Sequence, residues 1–207
     1  MYVIYFIYGG IFMRKKFLSM FIALTMLSTF IPMTVSADSD FDHLQYDNVY
    51  YCINYESETA YVEGCDSSVS DITVRDEING YPVTYIGDNA FENHENLSNV
   101  SLSNNITGIG SCAFKNCLTL SNIIIPNSVT TILDRAFSGC TKLSGITIPD
   151  SVTRIGRVIF EDTLISQNSD NWIDGILYVD NCVVDSKKDI INANIKDGTR
   201  IICDAAF

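Results

Sequence analysis

The sequence is poor in histidine, the side chain that enzymes use most often as a general acid or base. It has only two histidines, His43 and His94, and a single tryptophan among 207 residues. It contains no H-E-x-x-H, G-x-S-x-G or Walker phosphate-binding pattern, and no Cys-x-x-Cys pair. Each of these patterns places a nucleophile, a base or a ligand beside its partner, so their absence argues against the common hydrolases, kinases and zinc enzymes. The sequence therefore predicts a protein with no catalytic site, no cofactor and no metal ion.

Positive charge is scarce once the N-terminal segment is set aside. Three of the 13 basic residues precede Asp38, whereas all 25 acidic residues lie at Asp38 or after it. A chain that begins at Asp38 therefore has 10 basic and 25 acidic side chains, a net charge of −15. A field of that sign repels nucleic-acid phosphates and anionic lipids. We expect no nucleic-acid partner and no membrane insertion of the mature chain.

The apolar run near the N-terminus falls short of the roughly 20 residues that span a bilayer. A basic segment at 13–16 precedes the apolar run at 17–31, and Val35-Ser36-Ala37 offers small residues for cleavage. This order is typical of a signal peptide, predicted at 1–37, and indicates a secreted or cell-surface protein. An uncleaved membrane anchor is the alternative. Residues 1–12 are best explained by a start codon assigned too early.

The seven cysteines are an odd number, so they cannot all pair within one chain. Cys117 and Cys140 recur at the repeat spacing described below, which favours packing over disulfide bridges. Cys52 and Cys65 are candidates to face each other across a hairpin. A disulfide between them and two free thiols are both compatible with the sequence.

A period of 23 residues organises most of the chain. The copies run 83–105, 106–128 and 129–151, and a fourth fades after Thr163. Isoleucine recurs at Ile86, Ile109, Ile132 and Ile155, and an Ala-Phe pair at 90–91, 113–114 and 136–137, with Ile159-Phe160 in the fourth copy. Repeats of this length stack as the coils of a solenoid, because one coil cannot cover its own apolar face.

Each copy has a predicted strand and a return path. Leu143-x-x-Ile146-x-Ile148 alternates apolar and small polar residues, which predicts a short strand. Stacked copies would join these strands in a continuous parallel sheet. Pro149-Asp150-Ser151 then turns the chain, and Val152-x-x-Ile155 returns along the opposite wall.

The repeat resembles that of the BspA-like leucine-rich-repeat proteins, which are mostly bacterial secreted or surface proteins. Leu97-x-x-Val100-x-Leu102-x-x-Asn105 fits the template L-x-x-L-x-L-x-x-N, and residues 136–143 and 148–156 fit the fuller pattern. The resemblance implies a right-handed, gently curved solenoid with a parallel sheet on one face and short helical turns on the other. It also implies roles in adhesion or in binding host or matrix macromolecules. No repeat residue is catalytic in that family.

The flanking segments complete the predicted organisation. Residues 38–80 are expected to form an N-terminal β cap with strands at 46–54, 59–63 and 70–75. The repeats occupy 81–163, a β-hairpin-like insert occupies 164–194, and a further truncated repeat occupies 195–207, with Ile202 in the isoleucine column and Ala206-Phe207 as the pair. We expect the native gene to continue, and the uncapped end to associate edge to edge.

The candidate ligand-binding surface is the outward side of the predicted strands. Its residues are mostly short and polar: Asn99, Ser101, Ser103, Asn122, Ile124, Gly145 and Thr147. An ordinary solvated sheet is the alternative interpretation. Trp172, with Tyr178, is a second candidate, since exposed aromatic residues often anchor interfaces. Burial of Trp172 against the last coil competes with that role.

These observations predict a non-catalytic secreted or cell-surface protein that binds an extracellular protein or glycan. The alternative is a spacer in a larger exported protein whose activity lies C-terminal to residue 207.

Overall fold

The computed structural model describes residues 41–188, 190 and 192–207, together with the backbone of two short N-terminal strands. Those strands, β1 (Phe6–Tyr8) and β2 (Ile11–Met13), pair antiparallel. The predicted signal-peptide core and cleavage site lie outside the described residues, so both stay predictions. No helix in the described part of the chain is long and apolar enough to cross a membrane.

An antiparallel meander begins the folded unit that spans residues 40–207. It consists of β3 (Phe41–Tyr46), β4 (Val49–Asn54) and β5 (Thr59–Cys65), paired in that order. The predicted single strand at 46–54 is wrong at its start. Asp47 and Asn48 have positive φ angles of 51° and 64°, which make a two-residue hairpin turn between β3 and β4.

The register of this meander also excludes the disulfide between Cys52 and Cys65. Tyr61 lies opposite Cys52, and Val49 lies opposite Cys65, so the two thiols do not face each other across the strands. All seven cysteines are free. The disulfide interpretation is therefore wrong.

The continuous parallel sheet was expected on the wall that contains Leu143-x-x-Ile146-x-Ile148. This wall has only a short sheet. Three strands follow the meander, β6 (Asp71–Thr73), β7 (Glu77–Ile78) and β8 (Tyr81–Ile86), and then β9 (Asn99–Ser101). β9 pairs parallel with β6, but the next coils contribute only one bridge, between Asn122 and Gly145. In those coils this segment ends at Pro126 and Pro149, which have no N–H to donate to a neighbouring strand. Gly145 also lies in it, and glycine weakens a strand. The first coil has no proline there and does form β9.

The long parallel sheet instead lies on the return wall. β10 (Gly108–Ile109), β11 (Thr131–Ile132) and β12 (Arg154–Ile155) add one strand per coil to β8, with each column isoleucine in register with the next. β8 also pairs parallel with β5 and antiparallel with β7. One eight-stranded sheet thus joins the meander to the repeats. The return-wall segment contains no proline in the coils of β10, β11 and β12, so its backbone N–H groups remain available for pairing.

A stack of phenylalanines fills the centre of the coils. The rings of Phe91, Phe114, Phe137 and Phe160 are stacked, with successive centroids 5.1, 5.4 and 5.9 Å apart and interplanar angles of 26°, 4° and 15°. None of these side chains is more than 2% exposed. The backbone N–H of Phe91 donates to Ala113 O and that of Phe114 to Ala136 O, both at 2.8 Å. The 23-residue period therefore corresponds to one coil of a β-solenoid of about six turns.

The insert forms its own small sheet after the fourth coil. Its elements are α1 (Leu164–Gln167), a 3-10 turn at Ser169–Asn171, β13 (Trp172–Ile173), β14 (Ile176–Val179) and β15 (Cys182–Ser186), followed by β16 (Ile201–Ile202). β13, β14 and β15 pair antiparallel, and β16 joins β15 in parallel.

The placement of Ile202 in the isoleucine column is wrong. Its side chain is 49% exposed, whereas that of Cys203 is 4% exposed. The N–H of Asp204 donates to Ile155 O at 2.9 Å, just as the N–H of Gly156 donates to Ile132 O. Because β16 pairs with β15 of the insert, its register shifts by one residue and Cys203 points inward.

Two backbone positions in each of the four coils have a left-handed conformation, and the second is occupied by Asn93, Asn116, Gly139 and Asp162. The first is occupied by Asn89, Cys112, Arg135 and Val158, with φ angles of 59°, 55°, 55° and 57°. For an L residue this conformation costs about 1–2 kcal/mol, and asparagine tolerates it best apart from glycine. A β-branched valine is the worst suited of the four.

We therefore expect Val158→Asn to raise the free energy of unfolding by about 1 kcal/mol, measured by urea denaturation. The matched control is Val69→Asn, because Val69 is also partly buried but does not have a positive φ. Val69→Asn should not stabilise the chain. Equal losses of stability in both variants would show that strain at Val158 is negligible.

Candidate functional site

Two columns of side chains point outward from the wall that contains β6 and β9. Strand pairing aligns Asp71 with Asn99 and Thr73 with Ser101, and the bridge aligns Asn122 with Gly145. The 23-residue period continues both columns. We call this surface the outer strand face; it consists of Asp71, Asn99, Asn122 and Gly145 in one column and Thr73, Ser101, Ile124 and Thr147 in the other, all exposed.

Ile124 is the prominent apolar group on this face. Its side chain is 77% exposed and lies in the column between Ser101 and Thr147. The neighbouring column has Gly145, where an added Cβ would meet nothing within 4 Å. The face is therefore open around one aliphatic side chain that is bordered by short polar groups.

The edge of the face at the first coil is acidic. Asn99 Nδ2 donates a hydrogen bond to Asp71 Oδ1. Hydrogen bonds from Ser70 and Asn99 hold the pKa of the Asp71 carboxyl below its usual value. Asp71 therefore presents a stable negative charge at one end of the outer strand face.

Ser103 does not belong to this surface, contrary to the prediction from alternation. It is only 5% exposed, and its Oγ accepts a hydrogen bond from the N–H of Asn105 at 3.1 Å. The strand ends at Ser101, so the alternation of inward and outward side chains stops before Ser103. Its hydroxyl instead stabilises the turn.

The aromatic residues of the insert are engaged by the insert itself and by the segment that follows it. Trp172 is half-buried and its Nε1 donates to Ser166 O at 2.7 Å, while Lys187 Nζ lies 5.7 Å from its ring centroid. Tyr178 is 6% exposed, and its hydroxyl accepts from the N–H of Lys196 at 3.0 Å. The prediction that Tyr178 is an exposed anchor is wrong, and Trp172 presents only part of its ring.

The threonines on the opposite wall connect the coils. The hydroxyls of Thr107, Thr130 and Thr153 donate to the carbonyl oxygens of Thr84, Thr107 and Thr130 at 3.1, 3.1 and 3.3 Å. These hydroxyl hydrogens are already used between neighbouring coils. This wall therefore contributes to stability more directly than to recognition.

The repeat cysteines and His94 occupy structural positions. Cys117 Sγ donates to Phe91 O at 3.1 Å and Cys140 Sγ to Phe114 O at 3.0 Å. The hydrogen bond with Cys140 and then burial raise the pKa of Cys117. His94 Nε2 lies 3.0 Å from Cys65 O. Because a protonated thiol is a poor nucleophile, Cys117 is arranged for packing. Cys140 and His94 are likewise engaged by backbone carbonyl oxygens.

Sequence inspection missed one cluster of potential metal ligands, on the outer side of the meander. His43, Cys52 and Glu63 come from β3, β4 and β5, and one ligand atom from each lies within 4.8 Å of the other two. Burial raises the pKa of the Cys52 thiol, and a hydrogen bond from Tyr61 acts in the opposite direction. The gaps along the chain match no ligand motif, so only strand pairing reveals the cluster.

The repeat region matches the BspA type leucine rich repeat region in six copies over residues 63–171, just over half of the chain. The chain belongs to this family. The resemblance inferred from the repeat is thereby confirmed, and the match begins earlier than the predicted first repeat. A comparison with curated proteins found no match.

Solved structures of bacterial leucine-rich-repeat proteins share the fold. A leucine-rich-repeat protein from T. pallidum is 26% identical with a TM-score of 0.51, covering 56% of this chain and 54% of its own. One from Bacteroides capillosus is 27% identical with a TM-score of 0.51, covering 58% and 96%. One from Bacteroides ovatus is 24% identical with a TM-score of 0.57, covering 79% and 38%.

These structural neighbours confirm the leucine-rich-repeat solenoid. The chain spans about half the length of the T. pallidum protein. The likeness therefore supports the repeat fold, and the activity of the longer protein does not follow from it.

Proposed function

We propose that this chain is a non-catalytic binding module of a secreted or surface-displayed protein, and that its outer strand face binds an extracellular protein or glycan. The observation that carries the proposal is Ile124, an isoleucine that remains 77% exposed in the middle of a regular polar surface. The family membership and the signal-peptide pattern at 13–37 support the extracellular setting.

The architecture of the face suits a large partner. Interfaces typically combine an apolar centre with a polar rim, which is the arrangement of Ile124 among Asn122, Ser101 and Thr147. Short side chains lose little rotamer entropy when a partner immobilises them. Stacked coils also present these groups on an extended, regular surface, as solenoid proteins do when they bind macromolecules.

Charge narrows the choice of partner. Asp71 is ionised at one end of the face, and the chain from Asp38 onward has a net charge of −15. A partner that is neutral or basic at its contact surface meets no repulsion there. A neutral cell-wall glycan and a protein with a basic patch both fulfil this condition.

The test is a binding screen of the purified chain against extracellular matrix proteins and cell-wall glycans at micromolar concentration. For any ligand that binds, Ile124→Ser should weaken the affinity by at least about tenfold, because a central apolar contact is typically worth more than 1 kcal/mol. The matched control is Ile173→Ser, which removes another exposed isoleucine, 42% exposed, from the insert. This control should leave the affinity unchanged.

Two results would contradict the proposal. One is no binding to any member of the panel. The other is a ligand whose affinity falls with Ile173→Ser and not with Ile124→Ser, which would place recognition on the insert.

A further inference from the structure

The meander brings three chemically different ligand groups to one face. His43 lies directly opposite Cys52, and Cys52 lies directly opposite Tyr61, so these side chains share a face of the sheet. Glu63 follows Tyr61 by two residues and therefore points to the same side. The three potential ligands thus come from three adjacent strands rather than from one flexible loop.

A β-bulge aims Glu63 at the other two groups. Tyr51 pairs with Val62 and Tyr50 pairs with Gly64, which leaves Glu63 as the extra residue in β5. Bulges redirect a side chain and are frequent beside functional sites. Glu63 Oε2 reaches to 2.7 Å from His43 Nδ1.

The exposure of the three groups suits a binding site that an ion can reach from the solvent. Cys52 is fully buried beneath the face, whereas the side chains of Glu63 and His43 are 29% and 67% exposed. A surface cleft of about 440 Å³ opens beside them, lined by His43, Leu44, Gln45, Tyr50 and Glu63. An ion that enters through this cleft would meet the imidazole and carboxylate first and the sulfur behind them.

We propose that His43, Cys52 and Glu63 form a binding site for a zinc ion on the outer face of the meander. Imidazole nitrogen, thiolate sulfur and carboxylate oxygen are the three donor types that zinc takes in proteins. Their spread, within 4.8 Å of one another, allows a tetrahedral arrangement after small side-chain rotations. The fourth position faces the cleft and is filled by water or by a ligand group.

Metal binding replaces the hydrogen bond between His43 and Glu63. The zinc ion displaces the Cys52 thiol proton to solvent, because thiols bind zinc as thiolates. The bound ion then links β3, β4 and β5 and stabilises the folded chain by a free energy that rises with the logarithm of the ratio of ion concentration to Kd.

The test is isothermal titration of the purified, reduced full chain with zinc chloride after chelator treatment. We expect one ion per chain and a rise in melting temperature. Cobalt(II) in place of zinc should give a sulfur-to-cobalt charge-transfer band. Cys52→Ser should abolish this band, whereas Cys112→Ser, which changes a partly exposed cysteine outside the cluster, should preserve it.

His43→Gln and Glu63→Gln provide variants at accessible positions. Each should weaken zinc binding by at least about tenfold, since even outer-shell partners of metal ligands are worth that much. Their melting temperatures in metal-free buffer should stay close to that of the parent, which separates loss of the ion from loss of the fold. The proposal is overturned if the parent binds no zinc at micromolar concentration, or if Cys52→Ser and His43→Gln bind it as tightly as the parent.

Discussion

Replacing Phe114 with alanine should lower the free energy of unfolding by about 3–5 kcal/mol, and Phe137→Ala should cost a similar amount. Both side chains are 0% exposed, and their rings stack on each other with centroids 5.4 Å apart. Hydrogen bonds join the neighbouring coils along the return wall and along the Ala-Phe segment beside the cavity that would form. We expect little collapse of the surroundings, which places the cost in the upper part of the range for large-to-small changes.

Phe207→Ala is the matched control for the phenylalanine stack. It deletes the same atoms from a side chain that is 62% exposed, so the expected change is within about 0.5 kcal/mol. Ser101→Ala on the outer strand face should be equally mild. Urea denaturation of the four variants measures these differences. Similar losses for Phe114→Ala, Phe207→Ala and Ser101→Ala would show that the stacked register is incorrect.

The second large loss of stability is expected on replacing Arg200, whose guanidinium donates hydrogen bonds to backbone carbonyl oxygens at the end of the repeats. In earlier coils Ser128 Oγ donates to Ile106 O at 2.6 Å, and Ser151 Oγ donates to Val129 O at 2.7 Å. The next carbonyl in this column, Val152 O, accepts from Arg200 Nη1 at 2.6 Å. The guanidinium thus takes the place of the serine that the next repeat would have supplied.

Further contacts make this arginine difficult to replace. Its Nη2 donates to Pro149 O at 3.1 Å, and its side chain is only 27% exposed. Because hydrogen bonds that involve a charged group contribute about 1.5–3 kcal/mol, Arg200→Ala should lower the free energy of unfolding by about 2–3 kcal/mol. Arg200→Lys should recover only part of this, since an ammonium lacks the planar fork.

Arg154→Ala is the control for the loss of one positive charge. Arg154 pairs with Asp204 at 3.1 Å, but its side chain is 61% exposed, so its loss should cost no more than about 1 kcal/mol. Urea denaturation at matched ionic strength compares the three variants. Equal costs for Arg200→Ala and Arg154→Ala would indicate that the carbonyl contacts of Arg200 contribute nothing.

Periodicity alone was sufficient to predict much of the core. A residue that recurs every 23 positions faces identical neighbours in each coil, so Phe91, Phe114, Phe137 and Phe160 had to stack if the coils stacked. The same logic identified Cys117 and Cys140 as packing residues. Their Sγ atoms donate to carbonyl oxygens one coil earlier, a contact that the period implies but does not specify.

The alternation of apolar and polar residues along the strands predicted the candidate binding surface less accurately. It correctly predicted that Asn99, Ser101, Asn122, Ile124 and Thr147 are exposed. It failed at Ser103, where the chain has already turned. It also failed at Tyr178, since which face of the insert is covered depends on how the insert packs.

The sequence by itself determined the repeat length, the family and the residues that fill the core, because these depend on a pattern that each coil repeats. Only the tertiary structure decided which wall carries the long sheet, since both walls have inward-facing apolar residues and the outcome depends on which backbone N–H groups find carbonyl partners in the next coil. The same holds for His43, Cys52 and Glu63. Their proximity results from the register of three strands and one bulge, and no local pattern in the chain encodes that register.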